Sequence, residues 1–277
     1  MVTMGVDQDI KEQFPFEDNM RPVWSGNEVY EESVMFFPEP DTGKVLDAPL
    51  LYHPIKILEA RSADHRVVYR EGIDYALVDG CIRRLPSGSI PLWEYDDLYM
   101  PEKPDKWVAA HSRAKGRYLR ILEGVGFAQM QMVVTYVHDE AWMGPVPAFA
   151  GKKLPKTLNM LQKKQPLRVV FFGDSILSGQ NASSLFHCAP FTPTFAELFI
   201  EKLKRVYGYE GIEAFNTSVG GMDSAWGVGN AEQRVAAYDP DLCVIGFGMN
   251  DHFSKEQEEQ HIRTIIETAR EKNPNME

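Results

Sequence analysis

Cysteine is scarce: three thiols in 277 residues, Cys81, Cys188 and Cys243, far apart and odd in number. They form no C-x-x-C pair, which removes the common zinc and dithiol signatures. Cys243 sits inside an apolar run and reads as a small core residue. Long hydrophobic runs are also missing, and nothing approaches the roughly 18 apolar residues a membrane-crossing helix requires. The first residues, MVTMGVDQDIKEQF, lack the basic start and apolar stretch of a secretory leader. Few thiols and no leader lead to the expectation of a reducing, cytoplasmic setting. Basic residues are outnumbered, 29 Lys and Arg against 40 Asp and Glu, for a net charge of −11. An acidic surface repels phosphate backbones, so nucleic acid is disfavoured as a partner. Neither a G-x-G-x-x-G fingerprint nor a Walker lysine is present, which ranks nucleotide binding low. Nothing calls for a cofactor or a metal.

Two halves differ in period. Up to about residue 148, short runs rich in Val, Ile, Tyr and Phe alternate with turn signals such as Asp41-Thr42-Gly43, Asp79-Gly80 and Pro86-Ser87-Gly88. The runs Val34–Phe37, Ile55–Leu58, Val67–Tyr69, Tyr75–Val78, Tyr118–Leu122 and Met130–Val137 predict strands. Their spacing predicts an all-β sandwich or jelly roll over residues 1–148, with no helix of ordinary length. Residues 149–166, with Gly151, Pro155, Pro166 and five lysines, read as a solvated linker.

From Leu167 the pattern becomes strand then helix, three times over. Leu167–Phe172 and Leu242–Phe247 are nearly continuous apolar runs, as in strands buried on both faces of a parallel sheet. Ile212–Phe215 is a third strand. Thr194–Val206 predicts an amphipathic helix with Phe195, Leu198, Phe199 and Leu203 on its apolar face; Ser224–Tyr238 and Lys255–Lys272 predict two more. Residues 167–277 therefore read as an α/β domain with right-handed crossovers, whose chemistry gathers beyond the carboxyl ends of its strands.

Each of those ends carries a suggestive group. Gly173-Asp174-Ser175 follows the first strand and offers a hydroxyl nucleophile. Asn216-Thr217-Ser218-Val219-Gly220-Gly221 follows the second, where a glycine N–H can face a developing negative charge. Gly246-Phe247-Gly248-Met249-Asn250-Asp251 follows the third, where Asn250 offers an amide donor. Taken singly, each reads as readily as a turn or a helix cap. Together they supply a nucleophile and two oxyanion donors at one sheet edge. G-x-S-x-G is not matched, because Leu177 stands where the second glycine belongs, so the α/β-hydrolase elbow is disfavoured.

In these three blocks, by order and spacing, the chain resembles the SGNH hydrolase superfamily, the GDSL esterases. The resemblance runs from about Leu167 to the end. It implies a flavodoxin-like three-layer α/β fold, Ser175 as nucleophile supported by Asp174, and Gly221 and Asn250 as oxyanion donors. The preceding half is similar to the jelly-roll domain found before the SGNH domain in some bacterial members, several of which deacetylate carbohydrates. That likeness rests on the strand pattern and on Glu71–Tyr75 and Arg83–Pro91. The implied activity is hydrolysis of a small or carbohydrate-linked ester, such as an O-acetyl group, through an acyl-enzyme.

One block departs from the pattern. The family's base comes from an Asp-x-x-His tetrad, and none follows Asn250. The expectation is a domain truncated after its third strand, with little turnover and with Leu242–Ile245 as an unpaired edge that promotes self-association. Three histidines are candidate substitutes: His252, two residues past Asn250; His187, in the loop after the nucleophile; and His261, expected on the polar face of the last helix. The competing reading is a non-catalytic carbohydrate-binding module, with Trp24, Trp93, Trp107 and Trp142 as stacking platforms, although core packing accounts for most such tryptophans.

Overall fold

The structure is a computed structural model and describes residues 15–104, 109–122 and 124–277. The chain divides into two units: a β-rich one of residues 15–146 with Phe186–Phe191, and an α/β one of Pro147–Leu185 with Thr192–Glu277.

The β-rich unit begins with a short helix, α1 (Phe16–Asn19), and contains β1 (Glu28–Met35), β2 (Ala48–Pro49), β3 (Lys56–Ser62), β4 (Tyr75–Val78), β5 (Cys81–Arg84), a second short helix α2 (Tyr95–Leu98), β6 (Tyr99–Met100), β7 (Ala109–His111), β8 (Tyr118–Arg120) and β9 (Gln131–Val137). These make three antiparallel three-stranded sheets, ordered β1-β9-β3, β2-β5-β4 and β6-β8-β7. The first two share one core. Met132, Val134 and Tyr136 point inward from alternate positions of β9 and meet Val29 and Val34 of β1, Ala60 of β3, Tyr75 of β4 and Ile82 of β5. Period-two alternation along β9 is what lets one strand serve a core shared by two sheets. Val67–Tyr69, expected as a strand, contributes only an isolated bridge between Val68 and Arg61. Val67 and Val68 are exposed, and only Tyr69 of the three is buried in the core, too little apolar burial to extend the ladder.

The α/β unit contains α3 (Pro155–Gln162), β10 (Leu167–Gly173), α4 (Ser175–Ser178), α5 (Phe195–Tyr207), β11 (Ile212–Asn216), α6 (Ser224–Arg234), β12 (Leu242–Gly246) and α7 (Lys255–Lys272). Its sheet is parallel, ordered β11-β10-β12, with Phe171 opposite Asn216 and Gly173 opposite Gly246. The central strand β10 is sealed on both faces. Val169 and Phe171 pack with Ala196 and Ile200 of α5, while Val170 and Phe172 pack with Ala231 of α6 and Ile265 and Ala269 of α7. Burying side chains of this size is worth roughly 1.5–3 kcal/mol each, which is why the strand reads as an unbroken apolar run.

Three expectations are corrected here. The stretch expected as a linker, residues 149–166, carries helix α3, whose Leu161 is buried in the α/β core. Pro155 begins this helix rather than breaking it, because a first-turn N–H has no intrahelical partner to lose. On α5 the deeply buried residues are Ala196 and Ile200, while Phe195 and Phe199 remain 42% and 36% exposed and touch Phe171 edge-on. A small residue at 196 lets the helix approach the sheet closely, so the most buried positions are Ala196 and Ile200, while Leu203 packs on the core as expected. Finally, Ser224–Tyr238 is not one helix: α6 ends at Arg234 and a 3-10 turn covers Ala236–Tyr238.

The outer side of β12 is not bare along its length. The Cys243 N–H donates to the Glu277 carbonyl oxygen at 2.8 Å and the Glu277 N–H to Asp241 at 3.0 Å, so the last residue runs beside β12. Its carboxylate accepts the N–H groups of Lys156 and Thr157 at 3.0 and 2.8 Å and so caps α3. Burial alone would raise the Glu277 pKa, but these donors outweigh it and hold the carboxyl below its ordinary value.

Candidate active site

Parallel strands put all three carboxyl ends on one edge, and backbone hydrogen bonds tie the loops there. Asp174 N–H donates to Gly246 O at 3.1 Å, and Val219 N–H to Gly173 O at 2.9 Å. The Asn216 amide donates to Leu177 O at 2.8 Å. Gly173 and Gly246 are needed for this closeness. A Cβ at Gly173 would run into the Gly246 carbonyl, and one at Gly246 into the Leu177 side chain.

Ser175 opens α4 directly after the chain leaves β10. Asp174, buried at 2% exposure, caps that helix: its carboxylate accepts the Ile176 N–H at 2.9 Å. The cap turns the chain sharply and leaves Ser175 half-buried at the edge. Among the described residues no side chain is hydrogen-bonded to Ser175 Oγ. The second loop lies against it, since a Cβ built on Gly220 would be 3.6 Å from Ser175 Cβ. Next to Gly220, Gly221 is exposed, has φ of +79°, and has open space where a side chain would be. A left-handed backbone of this kind favours glycine and aims the peptide N–H in a direction a regular strand end could not. Asn250 of the third loop donates one amide hydrogen to Met222 O at 3.0 Å, one residue past Gly221, and keeps the other.

Residues 171–277 match the model of the GDSL-like lipase/acylhydrolase family. Most of the α/β unit is thus similar to a GDSL-like domain.

Two solved structures are similar to part of the chain. A two-domain esterase active on acetylated mannans is 20% identical, with a TM-score of 0.38, over 45% of this chain and 32% of that one. A catalytic mutant of an acetylxylan esterase from Geobacillus stearothermophilus is 22% identical, with a TM-score of 0.31, over 38% of this chain and 55% of the other. The chain thus spans about a third of the first and about half of the second. No curated protein matches the sequence.

The three candidate bases lie in different places. His252 is exposed on the loop between β12 and α7. His187 is exposed, has φ of +50°, and lies in the segment Phe186–Phe191 that belongs to the β-rich unit. His261 is not on a polar face, contrary to expectation. Its Nδ1 lies 2.8 Å from Ser224 Oγ, and its ring meets Phe253 edge-on at 4.9 Å. Ser224, 1% exposed, also donates to Asp251, through its hydroxyl and through its N–H at 3.0 Å. Sequence reasoning missed Ser224, which sits three residues past Gly221 as the first residue of a helix. Only the packing of α6 against α7 brings it to His261.

Cys81 and Cys243 are free thiols. Burial pushes the Cys243 thiol up to about 12, so it stays protonated and inert. Among the described residues no three His, Cys, Asp or Glu side chains converge as metal ligands, and no helix is long and apolar enough to cross a membrane. Trp93 is buried against Phe127 and Trp142 packs edge-on to Tyr52, while Trp24 is 38% exposed; Trp107 lies outside the described residues.

Proposed function

We propose that the domain is a serine ester hydrolase that works through an acyl-enzyme, on a small or carbohydrate-linked ester such as an O-acetyl group. Ser175 Oγ attacks the ester carbonyl, and the carbonyl oxygen becomes an oxyanion held by the Gly221 N–H and the free Asn250 amide hydrogen. The Ser175 hydroxyl proton passes to water, the C–O bond breaks, and the departing alkoxide takes a proton from water to leave as the alcohol. Water hydrolyses the acylated Ser175 to carboxylate. The single observation behind this reading is the meeting of the three loops at one edge, with Gly220 against Ser175 and Asn250 tied to Met222. Asp174 supports the site by fixing the turn that presents Ser175.

A hydroxyl also needs a base. No histidine of the described residues is hydrogen-bonded to Ser175, so slow turnover is expected from this chain. Donors alone leave roughly 10³–10⁴-fold over water in a serine hydrolase. The β-rich unit, which we read as a sandwich of jelly-roll type, accompanies the hydrolase. The rival reading as a carbohydrate-binding module is weakened because two of its four platform tryptophans, Trp93 and Trp142, are packed in contacts of their own. The test is hydrolysis of 4-nitrophenyl acetate by the wild type and by Ser175→Ala. Turnover above the spontaneous rate that vanishes in Ser175→Ala is the expected result. Turnover that survives the substitution would overturn the assignment.

A further inference from the structure

We infer that Ser224, Asp251 and His261 are positioning residues that hold the two oxyanion loops in register, with His261 acting through its Nδ1 proton. The inference rests on the reading of Gly221 and Asn250 as donors.

Gly221 and Asn250 come from different loops, after different strands, and nothing in a parallel sheet alone fixes one against the other. Donors to an oxyanion must be held to within about half an ångström to be effective. The third loop grips the second at two neighbouring points. Asn250 bonds Met222 O at 3.0 Å, and Asp251 takes the Ser224 N–H at 3.0 and 3.3 Å and the Ser224 hydroxyl. These grips lie one and three residues after Gly221, so they bracket the start of α6 and set where the Gly221 peptide points. The Asp223 carboxylate fixes the same turn by capping α6, accepting the Trp226 N–H at 2.8 Å.

The chemistry then dictates the state of the imidazole. A serine hydroxyl has one proton. An ionised carboxylate only accepts, so that proton goes to Asp251. The remaining contact on Ser224 Oγ, from His261 Nδ1 at 2.8 Å, must have nitrogen as the donor. His261 therefore carries its proton on Nδ1 when neutral. This separates the cluster from a second catalytic triad. A nucleophilic serine gives its proton to an imidazole, whereas Ser224 receives one from it, and at 1% exposure Ser224 is closed to substrate. The ring also meets Phe253, on the loop before α7, edge-on at 4.9 Å and 90°, which restrains it on the helix.

Two measurements on the full chain test this. Nitrogen-15 NMR of the histidine rings at pH 8 should show His261 as the Nδ1–H tautomer. An Nε2–H tautomer would overturn the inference whatever the activity. In parallel, 4-nitrophenyl acetate hydrolysis is measured for wild type, Ser175→Ala, His261→Leu and His261→Asn. With the donor gone, His261→Leu should lower kcat about tenfold with KM unchanged, less than the 10²–10³ lost with an oxyanion donor itself. His261→Asn, whose amide restores an N–H near the same place, should recover most of it. Unchanged kcat in His261→Leu, or an equal loss in both variants, would overturn the positioning role. If His261→Leu fails to fold, the tautomer and the His261→Asn rate decide. Loss of activity in Ser175→Ala together with unchanged kcat in His261→Leu would remove this inference and leave the hydrolase reading standing. Activity surviving Ser175→Ala would remove the hydrolase reading instead.

Discussion

Polar groups are used differently in the two units. In the β-rich unit many close on one another, although Trp93 Nε1 and His138 Nδ1 are buried with no hydrogen-bond partner. Glu31 binds Arg61 and lies 2.9 Å from His65, and Asp74 accepts the N–H groups of Arg70 and Ser89 at 2.9 and 2.8 Å. Tyr136 donates to Glu32 at 2.6 Å; burial, then the carboxylate, pushes its phenol well above the ordinary range. At the edge of the α/β sheet, Ser175 Oγ has no side-chain partner among the described residues, and Asn250 uses one of its two amide hydrogens. Saturated polar clusters hold a fold together, and spare donors beside a nucleophile are what a substrate can use.

The sharpest way to break this contrast is to remove one group from each side. Asn250→Ala should lower kcat about 10²–10³-fold, the usual loss for one oxyanion donor, whereas Glu31→Gln should leave kcat unchanged. Ester kinetics on both variants decide it, and equal losses would show that the β-rich cluster is not merely structural. Next in size is Gly173→Ala. Its Cβ meets the Gly246 carbonyl, a backbone atom that cannot move aside. Overpacking of this kind should cost roughly 3 kcal/mol, read as a fall in the denaturant midpoint.

Acid should weaken both units, for the same reason. The Asp74 carboxyl is held below its ordinary 3.8 by the Ser89 and Arg70 N–H groups, and Glu277 is held below its ordinary 4.5 by the donors of α3, against burial. A depressed folded pKa means that the unfolded chain binds the proton first. The stabilisation is therefore full above the unfolded values and drains as pH falls through the folded ones. Asp74→Asn and Glu277→Gln should each flatten the melting temperature below about pH 4; slopes unchanged from wild type would refute the linkage. The smallest effects come last. Gly229→Ala, in open space on α6, should stabilise by roughly 0.5–1 kcal/mol through helix propensity, measured by thermal melting. His252→Ala should leave ester turnover within about twofold, since general base catalysis requires hydrogen-bond reach of the nucleophile. Loss of turnover in both His252→Ala and Ser175→Ala would make His252 the base.

By itself the sequence determined what depends on neighbours along the chain. The apolar runs of β10 and β12 and helix Lys255–Lys272 were readable, because apolar period is local. So were the three strand-end loops, whose shared edge follows from parallel strands. Tertiary structure decided the rest. Helix α3 stood where proline and lysine suggested a linker, because Leu161 finds a core that no local pattern announces. Ala196 and Ile200 are buried deeper than Phe195 and Phe199, which meet Phe171 only edge-on, because the spacing between helix and sheet selects a small residue. His261 reaches Ser224 across 37 positions of sequence. No spacing rule links a serine at the start of one helix to a histidine in the second turn of the next, and only the packing of the two helices side by side brings them within a hydrogen bond.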